Sequence, residues 1–511
     1  MNMINSPRIT IDTPTAPSQP RTYRVILRKC EVADPDRVRG ILNECFTDLD
    51  RQPSGNVLIK PNVVTANRSY IHHSYTDPRL VAEAVKLSFH YGARNVTVGE
   101  SGGYGVPSKL FLREAGYLAL KKLGARVVDF NLEPAYRTEL AKGLHHKSLQ
   151  VPRSVHQADF RLWMPKLKYH VCCTITCALK LNVGILLHKE RMLYHDDRLD
   201  EKIVDILEVG YPDLIITDAI EIGTGFEGAP QPVHLGVVLA ADDPVAMDIV
   251  ACRLLGRDPG ECRHLMLAMQ RGYGPPDMDQ VRVEGDISLD QLTSITKSVE
   301  SPYQDIEKVE TPIRFYSGVD PDRGRLCHGG CLTAVKGCLA TIDKRRPGSV
   351  AEAKPGTIIT GVYRGDVDAA DGTALLVGSC TSVEGDLKAA RVRRIRGCPV
   401  GARQLLLSMP AVFGMPNPLL SPRDVALFLW FCLEQLASRA GCSLVRLGGL
   451  VVRAMGKSRA RPSPPYDGTR DPSLSRGEQG KRGQCPQEPV FLPGMRPGQE
   501  ASVRCVEKPA E

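Results

Sequence analysis

Two things are scarce in this chain of 511 residues: long hydrophobic runs and aromatic side chains. No segment reaches the roughly 18 consecutive apolar residues that a membrane-spanning helix requires. The most apolar helix candidate, Val425–Ala437, is too short and carries Glu434. Phe, Trp and Tyr make up only 5%, which leaves little for a base-stacking surface. The formal charge of +8 comes largely from the C-terminal tail and so does not argue for nucleic acid. The N-terminal stretch is polar and rich in Pro and Thr, unlike a signal peptide. Dinucleotide, P-loop and Ser-nucleophile fingerprints are absent, as is any internal repeat. The expectation is a soluble, cytoplasmic protein with neither a membrane nor nucleic acid as partner.

What the chain does have is length, apolar content and cysteine. Its length exceeds one ordinary domain, and 42% hydrophobic residues suffice for real cores. Sixteen cysteines in a chain read as cytosolic suggest metal or redox work before disulfides. Cys30, Cys45, Cys252 and Cys262 stand singly and read as small buried or surface residues.

Residues 1–21 read as disordered. Strands are expected at Thr22–Arg28, Asn56–Lys60, Asn95–Gly99 and Ala125–Phe130. Helices fall between them: one after Asp77, a good N-cap followed by Pro78, and one over PSKLFLREAGYLALKKLG. This alternation predicts an α/β fold with a mostly parallel sheet and flanking helices. Ligands of such sheets sit beyond the carboxyl ends of strands. Two polar loops occupy that place, one with Lys60 and Asn62, the other, ESGGYG, with Gly102 and Gly103. Their glycines allow backbone N–H groups to approach an anion; they equally suit a tight turn.

The stretch Lys166–His195 holds four lysines, one arginine and three histidines against one acid, spaced through apolar residues. Lys168 and His170 stand two apart, as do Lys180 and Asn182; His195 closes the stretch. Cations and amides on an apolar framework suit an anionic small molecule; the bland alternative is a connection whose cations reach solvent. Cys172, Cys173 and Cys177 read as core thiols rather than ligands. Further on, Asp218, Glu227 and Asp248 are potential oxygen ligands for a divalent ion, although no spacing rule supports one. Asp248 lies in an apolar helix capped by Asp243 and therefore needs a partner.

KLKYH followed by TCALKLNVG resembles the central signature of the DUF362 family, a domain of unknown function. IKPN at Ile59–Asn62, YTDP at Tyr75–Pro78, VGESGGYG and DDPVAMD at Asp242–Asp248 are similar to it too. The likeness spans roughly residues 22–405. The cysteines at 172, 173 and 177 depart from the family pattern.

A second informative region runs from Cys327 to Cys398. CHGGC, GSC and RGCPVG present Cys327, Cys331, Cys380 and Cys398 from glycine-bearing turns. Four thiolates suit a four-iron, four-sulfur cluster or a tetrahedral zinc; the lack of Cys-x2-Cys pairs favours the cluster. The layout resembles the C-terminal part of many DUF362 proteins, which looks like a cluster-binding module. The Cys-His-Gly-Gly-Cys spacing and Val400 in place of a second proline depart from it. Cys338 reads as core, and His328 as near the cluster but not bonded.

The expected organisation is a DUF362-like α/β domain over 22–296, a linker over 297–312 and a smaller Cys-containing α+β domain over 313–412. A helical segment over 413–456 and a disordered tail over 457–511 follow. The preferred function is a redox enzyme. Lys60, Asn62, Gly102, Gly103 and Asn182 would bind a small carboxylate or phosphate. Lys168 and Lys180 would stabilise charge, and His170 or His195 would donate a proton. A redox partner protein would supply electrons through the cluster, which must then lie close to the pocket. An electron-carrier subunit without its own reaction, or a non-redox enzyme with structural cysteines, are the alternatives.

Overall fold

Apolar side chains alternate between two faces along the inner strands, so each strand buries both sides. In Gly55–Pro61, Val57 and Ile59 enter one core while Leu58 enters the other; in Phe160–Met164, Leu162 and Met164 are set against Trp163 in the same way. A computed structural model describes residues 22–439 except 104–106, 300–302 and 304. The expected disordered segments 1–21 and 457–511 lie outside the described residues, as do residues 440–456 of the expected helical segment.

The large sheet runs Val281–Gly285, Tyr23–Lys29, Gln231–Ala241, Leu214–Thr224, Phe160–Met164, Gly55–Pro61, Ala93–Glu100, Arg126–Asp129. Every neighbouring pair is parallel except where Gln231–Ala241 meets its two neighbours. The α/β, mostly parallel architecture read from the sequence is therefore present. Helices Pro35–Asp48 and Pro78–His90 pack on one face, and Pro244–Leu254 and Arg263–Gln270 on the other. Asp77 and Asp243 cap their helices as expected, accepting from Arg79 N and from Val245 N and Ala246 N. The single helix expected after residue 106 is instead an α-helix, Ser108–Glu114, and a 3-10 turn, Tyr117–Leu123. Gly116 between them takes φ +87°, which an L side chain rarely adopts and which ends the helix.

Downstream, Ile313–Ser317, Gly356–Arg364, Val367–Glu384 and Leu387–Ile395 form a second, wholly parallel sheet. The last three strands are joined in sequence by only two residues each, yet they run parallel. The chain achieves this by coiling, with the ladder broken between Thr360 and Val362 at Gly361 (φ +63°). Helices Thr333–Arg345 and Ala402–Phe413 share a core with this sheet, and Cys338 is buried in it as expected. No helix among the described residues is long and apolar enough to cross a membrane.

At the carboxyl ends of two adjacent strands, Lys60 Nζ and Glu100 Oε2 form a fully buried ion pair at 2.7 Å. Burial disfavours both charges, lowering the pKa of Lys60 and raising that of Glu100. Gly184 covers the pair at a distance no Cβ would fit. Lys60→Met strands a buried carboxylate and is expected to cost about 3–5 kcal/mol in urea unfolding; adding Glu100→Leu should recover most of the loss.

Candidate functional site

The strand Leu214–Thr224 is long enough to pair twice with one neighbouring segment. Its first half pairs with Phe160–Met164; beyond Pro165 its second half pairs with Lys166–His170, placing Lys166 opposite Asp218 and Lys168 opposite Gly223. The lysine stem lies where a Gly223 side chain would stand. This register brings the basic stretch over the ends of the parallel strands. Lys166 Nζ meets Asp218 Oδ2 at 3.0 Å. Lys168 Nζ donates to Asn62 Oδ1 and Ser74 O, both at 2.7 Å, and to Glu227 O at 3.2 Å. His170 Nε2 meets Glu227 Oε1 at 3.1 Å, and His170 Nδ1 faces the amides of Cys172 and Cys173.

The buried charges set one another's protonation. Burial lowers the pKa of Lys168 to about 7, although Glu227 opposes the shift. Burial also works against charge on Glu227, but His170 and Lys180 more than offset it and the pKa falls to about 2. Burial works against charge on His170, but Glu227 and Cys172 together outweigh it and the pKa is raised. The Cys172 thiol is held well below its ordinary range by the Cys173 thiol, with His170 and Lys180 adding to the effect against burial. Lys180 thus acts on Lys168, His170, Cys172 and Glu227 together.

Lys168, His170, Asn62 and Lys180 therefore form one neighbourhood. Lys60 belongs to the Glu100 pair, and Asn182 Oδ1 accepts from Trp163 Nε1 at 2.7 Å. Gly102 presses on the Val63 carbonyl, and the Gly103 carbonyl accepts from Arg191. The three acids weighed as ligands for one divalent ion go to separate nitrogen donors. Asp218 meets Lys166, Glu227 meets His170, and Asp248 accepts from Ala178 N and Leu179 N at the start of the short helix bearing Lys180.

Beside this neighbourhood lies a cavity of about 340 Å³, lined among others by Cys172, Cys173, Asp196, Asp197, Arg325 and His328. Cys177 is a core thiol as read, whereas buried Cys173 and half-buried Cys172 both line the cavity. Asp197 pairs with Arg325 (2.9 Å) and Arg323 (3.2 Å), and Asp196 with Arg198. Sequence reasoning passed over these residues; the YHDDR that ends the basic stretch was their only local signal.

Cys327, Cys331, Cys380 and Cys398 line one adjoining pocket. Gly378, at φ +120°, sits between two of the thiols: a Cβ there would stand 3.2 Å from Cys331 Sγ and 3.9 Å from Cys380 Sγ. Burial pushes all four thiols up, Cys327 to about 12 and Cys331 to about 11; a bound cation would oppose that shift. The donor set suits a metal. With the thiols as placed the free space is about 20 Å³, and no three of the four sulfurs lie within 4.8 Å of one another, wider than the ~3.8 Å edges around a single tetrahedral ion. Asp196 and Leu326 belong to the walls of both pocket and cavity.

Fold and site together define an α/β protein with a buried Lys–His–carboxylate cluster beside candidate metal-binding cysteines. Residues 57–253 match the family described as Domain of unknown function (DUF362). A thylakoid-associated protein of Synechocystis sp. is 28% identical over 234 residues, which span 44% of this chain and 70% of that protein. Two solved structures are similar at low level. The lactate racemase apoprotein from Thermoanaerobacterium thermosaccharolyticum has a TM-score of 0.31 and 11% identity, covering 68% of this chain and 70% of that one. A structural-genomics target from Thermotoga maritima has a TM-score of 0.32 and 10% identity, covering 64% and 70%.

His195 is buried, its Nδ1 lies 2.8 Å from Gly329 O, and burial lowers its pKa to about 4. The unfolded chain binds that proton near pH 6.5, so stability is present above this pH and is lost as the pH falls toward 4. His195→Gln should flatten part of this acid slope in urea unfolding, with His73 and His146, lowered by burial to about 3 and about 4, keeping the remainder. It should also cost about 1 kcal/mol at pH 7 for the altered hydrogen bond.

Proposed function

We propose that this protein is a metal-dependent redox enzyme acting on a small anionic substrate in the 340 Å³ cavity, with an iron–sulfur cluster on Cys327, Cys331, Cys380 and Cys398. The observation that carries this reading is the shared wall: Asp196 and Leu326 line both the cavity and the four-cysteine pocket. A redox enzyme needs that proximity; a carrier subunit does not need the cavity. When bound, the cluster supplies single electrons at the edge of the chamber. The open side at Cys398 is where a redox partner would approach.

The chain's own residues bind and orient. Arg263 and Arg325 stand on the cavity wall among four acids, Asp196, Asp197, Asp200 and Glu261. Arg325 and Arg323 engage Asp197, Arg198 engages Asp196 and Arg263 engages Glu201, so in this reading the arginines must both offset these acids and offer the anion its donors. Lys180 holds positive charge near Cys172; Lys168, lowered by burial to about 7, is charged only in part at neutral pH. Of the histidines considered as proton donors, His170 turns to Glu227 and His195 to Gly329 O. His328 is the one on the cavity wall, and in this reading it moves the proton.

The test is anaerobic purification with assays for iron, acid-labile sulfide and zinc, together with electron paramagnetic resonance of the reduced protein. About four irons and four sulfides per chain are expected, lost in each of the Cys327, Cys331, Cys380 and Cys398 to Ala variants. A colourless protein carrying zinc there, or no metal after reconstitution, overturns the iron–sulfur reading.

A further inference from the structure

The turn after Lys166–His170 concentrates metal-ligand chemistry that the four-cysteine pocket does not use. Cys172 Sγ lies 3.4 Å from His170 Nδ1 and 3.7 Å from Cys173 Sγ. These spacings can be compared with a coordination polyhedron. A tetrahedral ion with bonds of about 2.3 Å to sulfur and about 2.0–2.1 Å to nitrogen sets its sulfurs about 3.8 Å apart, and sulfur and nitrogen about 3.5 Å apart. Two measured edges match, and all three donor atoms lie within 4.8 Å of one another.

The ring is also oriented from behind. With Nε2 on the Glu227 carboxylate at 3.1 Å, Nε2 carries the proton and Nδ1 presents its lone pair to the thiols, the carboxylate–histidine–metal arrangement. The main-chain turn is specific: the Cys172 and Cys173 amides both point at the ring, and Thr174 just after them takes φ +61°. Those amides now share the Nδ1 lone pair; with an ion there they would turn to the sulfurs. Cys173 also belongs to a second group with Asp200 and His264, but the His264 ring is already contacted by Cys262 and Asp200.

We propose that His170, Cys172 and Cys173 bind one tetrahedral divalent ion, zinc by preference, whose fourth position faces the cavity and takes an oxygen of the anionic substrate. One imidazole and two thiolates suit zinc, and three protein ligands with one open position are the pattern of a catalytic rather than a structural site. Two thiolates neutralise the ion, and Lys180 nearby favours a negative fourth ligand. The inference rests on the cavity being the reaction chamber and not on the identity of the four-cysteine centre.

The test is metal content and cobalt substitution in the full chain. Wild type should hold one zinc or cobalt equivalent more than Cys172→Ser/Cys173→Ser, and the difference spectrum should show thiolate-to-cobalt charge transfer with tetrahedral d–d bands. The same equivalent should persist in the Cys380→Ala/Cys398→Ala variant, which separates this site from the iron–sulfur reading. Glu227→Gln should keep the stoichiometry but weaken affinity about 10- to 100-fold. If the double-serine variant does not fold, alkylation of wild type followed by peptide mass spectrometry decides. Zinc should protect Cys172 and Cys173. Equal labelling with and without zinc, equal metal in both proteins, or a Cys172–Cys173 disulfide in the metal-loaded protein overturns the proposal.

Discussion

The backbone of Asp196 lies against Gly329, and the relation between the large sheet and the cysteine turn depends on that approach. Any Cβ at position 329 would overlap the Asp196 carbonyl oxygen. The contact is held from both sides: the His195 ring meets Gly329 O, and Arg323 and Arg325 reach back to Asp197. His195 and Asp197 are buried, whereas the Arg323 and Arg325 side chains are 30% and 42% exposed, so it is the His195–Gly329 contact whose loss is costly. Loosening it would separate Cys327 and Cys331 from the Cys172–Thr174 turn and open the wall they share.

Behind that contact the protein tolerates an unusual load of buried charge, and it does so by pairing. Lys60 has Glu100, Lys166 has Asp218, and His170 has Glu227. Lys202 uses carbonyls instead, donating to Glu190 O, Arg191 O and Leu193 O, where a short helix ends and its free carbonyls favour a cation. Lys168 likewise has neutral oxygens as its direct partners, and burial lowers its pKa to about 7. Paired buried charges add little net stability, but each fixes its partner's position. That rigidity lets Glu227 determine which nitrogen of His170 faces the thiols.

Much of the fold could be read directly. The capped helices at Asp77 and Asp243 and the apolar strands around them carry local signals, because caps and strand periodicity depend on neighbours a few residues away. The helix expected to run through Gly116 failed because an interior glycine is compatible with helix and stop alike. The basic stretch was legible as a concentration of cations, and the four cysteines as one group. Cys172 was not: it faces a cavity whose other walls come from distant segments such as residues 196–200 and 325–329. The glycines of CHGGC were read as room for a cluster, yet Gly329 is required at least as much by the Asp196 backbone.

By itself, then, the sequence determined the parallel α/β framework, the helix caps, the concentration of lysine and histidine at Lys166–His195 and the four glycine-flanked cysteines. All of these are carried by residue type and short-range spacing. Only the tertiary structure decided which cation meets which carboxylate, that Cys172 rather than Cys177 faces the cavity, and that cavity and cysteine pocket share Asp196 and Leu326. The reason is physical: desolvation, ion pairing and wall sharing depend on distances between segments more than a hundred residues apart, such as His195 and Gly329 or Asp197 and Arg325. Local sequence does not encode those distances.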